Sequence, residues 1–102
     1  MIVEYIRYTV PTDKAAELVA AYQDGSASLR ASPHCLEFEL SQCRDDAGSF
    51  VLRIVWDSLS GHLEGFRRSP EFQPFLQAIG RFVPNITEMR HYELTSVNWS
   101  RA

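Results

Sequence analysis

The chain has 102 residues, 45% of them hydrophobic and 23% charged, with a formal net charge of -3 at pH 7. This is the composition of one globular domain, long enough for a real core and small enough to gain from an oligomeric partner. Ten basic residues scattered among thirteen acids give no nucleic-acid footprint, and no apolar stretch approaches the roughly 20 residues that span a bilayer.

Residues 2–10 alternate, with Ile2, Glu4, Ile6, Tyr8 and Val10 on one face and Val3, Tyr5, Arg7 and Thr9 on the other. The pattern predicts a strand covered on both sides, not a signal peptide. Pro11 ends it. Thr12 is placed to cap a helix with Asp13 in its first turn, and Ala15, Leu18, Val19, Tyr22 and Leu29 then recur at helical spacing, interrupted by Gly25. "ASPHC" is a turn, and "CLEFELSQC" is a second strand with Leu36, Phe38 and Leu40 one way and Glu37, Glu39 and Ser41 the other. Cys35 and Cys43, at its two ends, stand about 26 Å apart at ~3.3 Å per residue, beyond disulfide reach. Free thiols and a cytoplasmic location are therefore expected.

"RDDAGS" supplies a hairpin loop, and "FVLRIVW" returns as a central strand in which Arg53 points away from the helices, toward Glu39 or Glu93. Asp57 or Ser58 can cap a short helix carrying Leu59, Leu63 and Phe66 on one face, with Arg67 and Arg68 on a solvated side. Ser69 followed by Pro70 is a second helix start, with Phe72, Phe75, Leu76, Ile79, Phe82 and Val83 as its apolar stripe and Pro84 as its stop. "ITEMRHYELTSV" is a last strand. The domain is expected to run over residues 1–95, and residues 96–102 form a tail with an exposed Trp99.

The order β-α-β-β-α-β predicts an α+β, ferredoxin-like fold: one antiparallel sheet with both helices on one face. The other face carries Val3, Tyr5, Val51, Val55, Tyr92 and Leu94, too many apolar groups to face water, which predicts a homodimer packed sheet to sheet.

"SPHCLEFELSQC", "FVLRIVWDS" and "SPEFQPF", in this order on this topology, resemble the antibiotic biosynthesis monooxygenase domains of the dimeric α/β-barrel proteins. The likeness runs from Ile2 to about Leu94. It implies a dimeric α/β barrel with a pocket in each subunit between sheet and helices. Some members oxidise phenolic polyketides with O2 and no cofactor, others bind and degrade haem, and many have no established activity. The resemblance places Trp56 on the pocket wall. It also marks departures: Phe66 stands where haem degraders carry an iron-ligating histidine, and Ile6 and Arg7 where they carry an asparagine. Leu52 replaces an asparagine of the quinone-forming members, and Ile54 and Val55 replace glutamates common before the tryptophan. Haem degradation is accordingly disfavoured, because a phenylalanine cannot coordinate iron.

Two residues are the catalytic candidates. Trp56 is either a core residue or a stacking wall, and its N–H needs a partner in both cases. His62 flanks the Leu59/Leu63/Phe66 stripe, where it can take a phenolic proton near neutral pH or sit half-exposed beside Asp57. Phe38, Phe66, Phe72 and Phe75 are candidate cavity walls, with Tyr8, Tyr22 and His91 as polar handles for substrate. No cofactor is expected. No metal site is expected either, since His34, His62 and His91 belong to a turn, a helix and a far strand. The reading is a cofactor-independent monooxygenase acting with O2 on a small planar phenolic or polyketide-like substrate, without nucleic-acid or membrane partners. The alternative is a non-catalytic dimeric barrel that binds a small apolar ligand or serves as an accessory module.

Overall fold

Alternating apolar residues in four segments form a single antiparallel sheet in the computed structural model, which describes residues 1–101. Residue 102 of the expected tail lies outside the described residues. The strands are β1 (Ile2–Thr9), β2 (Cys35–Gln42), β3 (Ser49–Trp56) and β4 (Ile86–Glu93), in the spatial order β2-β3-β1-β4. Helices α1 (Ala15–Ala31) and α2 (Phe72–Ile79) cover one face. The ferredoxin-like α+β fold expected from the element order is therefore the observed one.

Strand parity decides which side chains enter the core. Ile6, Tyr8, Val10, Phe50, Leu52, Ile54 and Trp56 point to the helices and pack with Leu18, Tyr22, Leu29, Phe75 and Ile79 in one cluster. Gly25 does not interrupt α1. It lets α2 come close, because a Cβ there would stand 3.2 Å from Phe75 Cδ1. The opposite face carries Arg53 paired with Glu37 and Glu39, not with Glu93, and Arg7 and Arg90 on Glu88.

Several local expectations are corrected. Thr12 begins a 3-10 turn, Thr12–Lys14, and makes no capping hydrogen bond. Val19 is 37% exposed, beside the sheet and not under it, and Leu36 faces outward. For Leu36 the cause is a bulge: Cys35 pairs with Trp56 and Glu37 with Val55, so one residue is unpaired and parity slips. Ser69 does not cap α2, which starts at Phe72; its hydroxyl donates to the Phe66 carbonyl at 2.7 Å and closes the preceding turn. The stop around Pro84 is a 3-10 segment, Gly80–Asn85. The last strand ends at Glu93, four residues before Val97.

Residues Gly61–Phe66 form a π-helical turn, where the Arg67 N–H reaches the His62 carbonyl. Ser58 caps it by accepting the Gly61 N–H at 2.9 Å. The wider turn changes which residues share a face. His62 and Phe66 point inward and are buried, whereas Leu59 and Leu63 turn out to 45% and 37% exposure. Asp57 is taken by His34, at 3.0 Å, and leaves His62 to the interior.

Candidate active site

A cavity of about 360 Å³ opens between α2, the π-helical turn and the β1–β4 side of the sheet. β1 contributes Glu4, Ile6 and Tyr8, α1 contributes Tyr22, β3 contributes Trp56, and the π-helical turn contributes His62 and Phe66. Phe72, Phe75 and Ile79 of α2 form the apolar roof, with Ile86 and Met89 of β4 opposite and Arg67 on the wall. Trp56, His62, Tyr8, Tyr22, Phe66, Phe72 and Phe75 thus meet where the sequence placed a pocket.

Phe38 does not join them. It lines a separate groove of about 250 Å³ between α1 and β2, with Val19, Gln23, Leu40 and Leu52. The reason is strand order: β2 lies beyond β3 at the sheet edge, away from the β1–β4 side that α2 covers. Tyr22 touches both spaces and separates them. Leu52 belongs to that groove as well.

The chemistry of the cavity centres on a residue sequence reasoning missed. Glu4 is buried at 2% exposure, on the inner face of a central strand. Trp56 Nε1 donates to its Oε1 at 3.0 Å. His62 Nε2 lies 3.4 Å and His91 Nε2 3.3 Å from its Oε2. Burial alone would push the Glu4 carboxyl up, but His62 first, then the Trp56 N–H and His91, more than offset it and hold the carboxyl below its ordinary range. The signal was present in the sequence as an acid in the middle of the apolar alternation Ile2, Glu4, Ile6, Tyr8.

His62 is sandwiched between rings, 4.5 Å from Trp56 at 32° and 5.0 Å from His91 at 39°. Its approach to Glu4 has the separation of an ion pair but not the alignment of a hydrogen bond, and neither ring nitrogen has a hydrogen-bond partner among the described residues. It is 4% exposed, so the half-exposed surface histidine considered from the sequence is not what forms. His91 stands behind the cavity wall, where register sets it directly across from Glu4. The helix, strand and turn histidines are therefore not dispersed: two of the three converge on one carboxylate.

Tyr8 and Tyr22 hydrogen-bond to each other through their hydroxyls, so each is a satisfied core phenol and a cavity wall at once. Burial raises both phenols above their ordinary value; for Tyr22 the Tyr8 and Glu4 neighbours add to it. Phe66 packs 5.3 Å from Trp56, 5.4 Å from Phe75 and 5.7 Å from Phe72, an apolar cluster where haem degraders would need a ligand.

Comparison with known proteins places this architecture. The family model described as "Antibiotic biosynthesis monooxygenase" matches residues 1–78. Among curated proteins, the uncharacterised YczJ of Bacillus subtilis (strain 168) is 25% identical over 77 residues, covering 76% of this chain and 81% of its own. A Bordetella bronchiseptica protein assigned to the antibiotic biosynthesis monooxygenases superposes with a TM-score of 0.76 at 18% identity, covering 92% of this chain and 96% of its own. SnoaB, a cofactor-independent oxygenase from Streptomyces nogalater, superposes with a TM-score of 0.72 at 21% identity, covering 96% and 94%. At these identities the superpositions establish a shared fold.

Proposed function

The chain belongs to the antibiotic biosynthesis monooxygenase family, and from that premise we propose that it is a cofactor-independent oxygenase acting with O2 on a small planar phenol. The observation that carries this reading is the Glu4–His62 pair against Trp56, buried in the wall of an otherwise largely apolar cavity. A planar ring stacks on Trp56 and is enclosed by Phe66, Phe72 and Phe75. His62 Nε2 accepts the acidic proton of the substrate, and the Glu4 carboxylate stabilises the imidazolium that results. Arg67 brings the opposite charge to the substrate anion. The electron-rich anion then reduces O2 directly, since O2 needs a strong one-electron donor and apolar walls solvate the anion less than water does. For an anthrone-type methylene the sum is CH2 plus O2 giving C=O plus H2O.

The acid that Ile54 and Val55 do not provide beside Trp56 comes instead from Glu4, across the strand pair. Val3 and Val55 of the outer sheet face are already buried within the chain, and the rest of that face supports a homodimer. Tyr92 and Leu94 remain 45% and 39% exposed there, beside the half-buried Tyr5 and Val51.

A second reading, a non-catalytic barrel that binds a small apolar ligand, is favoured by the Tyr8–Tyr22 pair. Its hydroxyls satisfy each other and leave few free donors for a developing oxyanion. Oxygen uptake over a panel of anthrones and hydroquinone-like phenols, with chelator present and no flavin added, separates the two. The oxygenase consumes O2 with at least one of them. The binding barrel consumes none, yet the same compounds quench the emission of buried Trp56.

A further inference from the structure

We infer that Glu4, His62 and His91 form a binding site for one divalent first-row transition metal of the Zn2+ type, and that its occupation excludes proton uptake by His62. Glu4 Oε2 is 3.4 Å from His62 Nε2 and 3.3 Å from His91 Nε2, and all three donor atoms lie within 4.8 Å of one another. Tetrahedral ligands at about 2.0–2.1 Å from a zinc ion stand about 3.3–3.4 Å apart. Two edges of the triangle therefore already have the length a metal requires, and the ligand atoms of the third edge lie within 4.8 Å.

The second observation is independent of that spacing. His62 is buried, yet neither of its nitrogens has a hydrogen-bond partner among the described residues. A buried polar ring without partners is costly unless something absent from the protein chain completes it. A cation at Nε2 does so. The carboxylate is already oriented for it: the Trp56 N–H holds Oε1 at 3.0 Å and turns Oε2 toward the two imidazoles, as outer partners of metal ligands do. The three ligands come from β1, the π-helical turn and β4, and the adjoining cavity leaves room for a water or a ligand in the fourth position. Two imidazoles with one carboxylate suit Zn2+ or Fe2+ better than Ca2+ or Mg2+, which prefer all-oxygen shells.

Binding itself does not depend on the function proposed above; only the consequence does, because the metal would occupy the nitrogen that accepts the substrate proton. The test uses the full chain freed of metal by chelator. Calorimetric titration with Zn2+ is expected to give one ion per chain. Co2+ is expected to give the visible ligand-field bands of a low-coordinate N/O site, a readout that needs no variant to fold. His91→Gln, at the exposed edge strand, and Glu4→Gln, which keeps an acceptor for Trp56, should each weaken Zn2+ binding at least about tenfold. His34→Gln should leave it unchanged. Absence of stoichiometric Zn2+ binding, or affinity that persists unchanged in His91→Gln, would overturn the site. Because no turnover is read, a negative result here leaves the oxygenase proposal standing, and inactivity toward phenols leaves the metal site standing.

Discussion

Trp56 Nε1 donates to Glu4 Oε1 over 3.0 Å, tying the end of one central strand to the middle of the other. Glu4 pairs in register with Ile54, so Trp56 is its diagonal neighbour on the same face, within reach of a long aromatic side chain. One carboxylate thus fixes the indole that walls the cavity and stands 3.4 Å from the histidine beside it.

Glu4 should therefore matter to folding as well as to chemistry. Glu4→Ala leaves the Trp56 N–H buried without an acceptor and removes the carboxylate from beside His62, and is expected to cost about 3 kcal/mol. Glu4→Gln keeps an oxygen for the indole and should cost about 1 kcal/mol. Urea denaturation of the two variants checks the order.

The two thiols should differ in reactivity. Burial raises the Cys35 thiol to about 11, where it packs against the core opposite Trp56, while Cys43 is exposed. At pH 8 only about one Cys35 in a thousand is thiolate. Iodoacetamide should modify Cys43 first, with Cys35 following only slowly or on unfolding. Peptide mass mapping over time reads the order.

Alkaline pH should destabilise the fold through Tyr8 and Tyr22. Burial raises both phenols, with Glu4 the charged group that adds to it and Arg67 the cation on the same cavity wall. Below pH ~10 the folded and unfolded chains both keep these protons, and the contribution is intact. Above it the unfolded chain loses them first, so stability falls as pH rises until the folded phenols also ionise. Thermal melts from pH 8 to 11 should show the fall, and Tyr22→Phe should flatten it.

The outer sheet face should hold a dimer together. Val51→Glu places a charge on that face, where β3 adjoins Arg7 of β1. It is expected to shift sedimentation from dimer to monomer while circular dichroism stays that of the folded chain. A wild-type chain that sediments as a monomer at micromolar concentration would count against the sheet-to-sheet assembly.

The fold was legible because alternation and helical spacing are independent of context: β1 and β3 bury the residues their parity assigns. What escaped depended on local departures from ideal periods. The π-helical turn rotates Leu59 and Leu63 outward and His62 inward, which a 3.6-residue period does not anticipate. The bulge at Leu36 reverses one residue of β2. Glu4 stood in plain view on the apolar face of β1, but its partners come from positions 56, 62 and 91, and only tertiary structure brings them together. Phe38 was misplaced for a related reason: parity gives its face of the sheet correctly, and strand order gives its distance from α2.

In the proposed reaction the Glu4–His62 pair serves as the base of an O2-dependent oxidation. Oxygen uptake by the wild type, His62→Ala and Glu4→Gln should be followed side by side with an anthrone, with chelator present throughout. Uptake should be matched one to one by carbonyl product, with kcat/KM lower by about 10²–10⁴ in His62→Ala and reduced in Glu4→Gln, both chains remaining folded. Turnover that survives unchanged in folded His62→Ala would contradict that role.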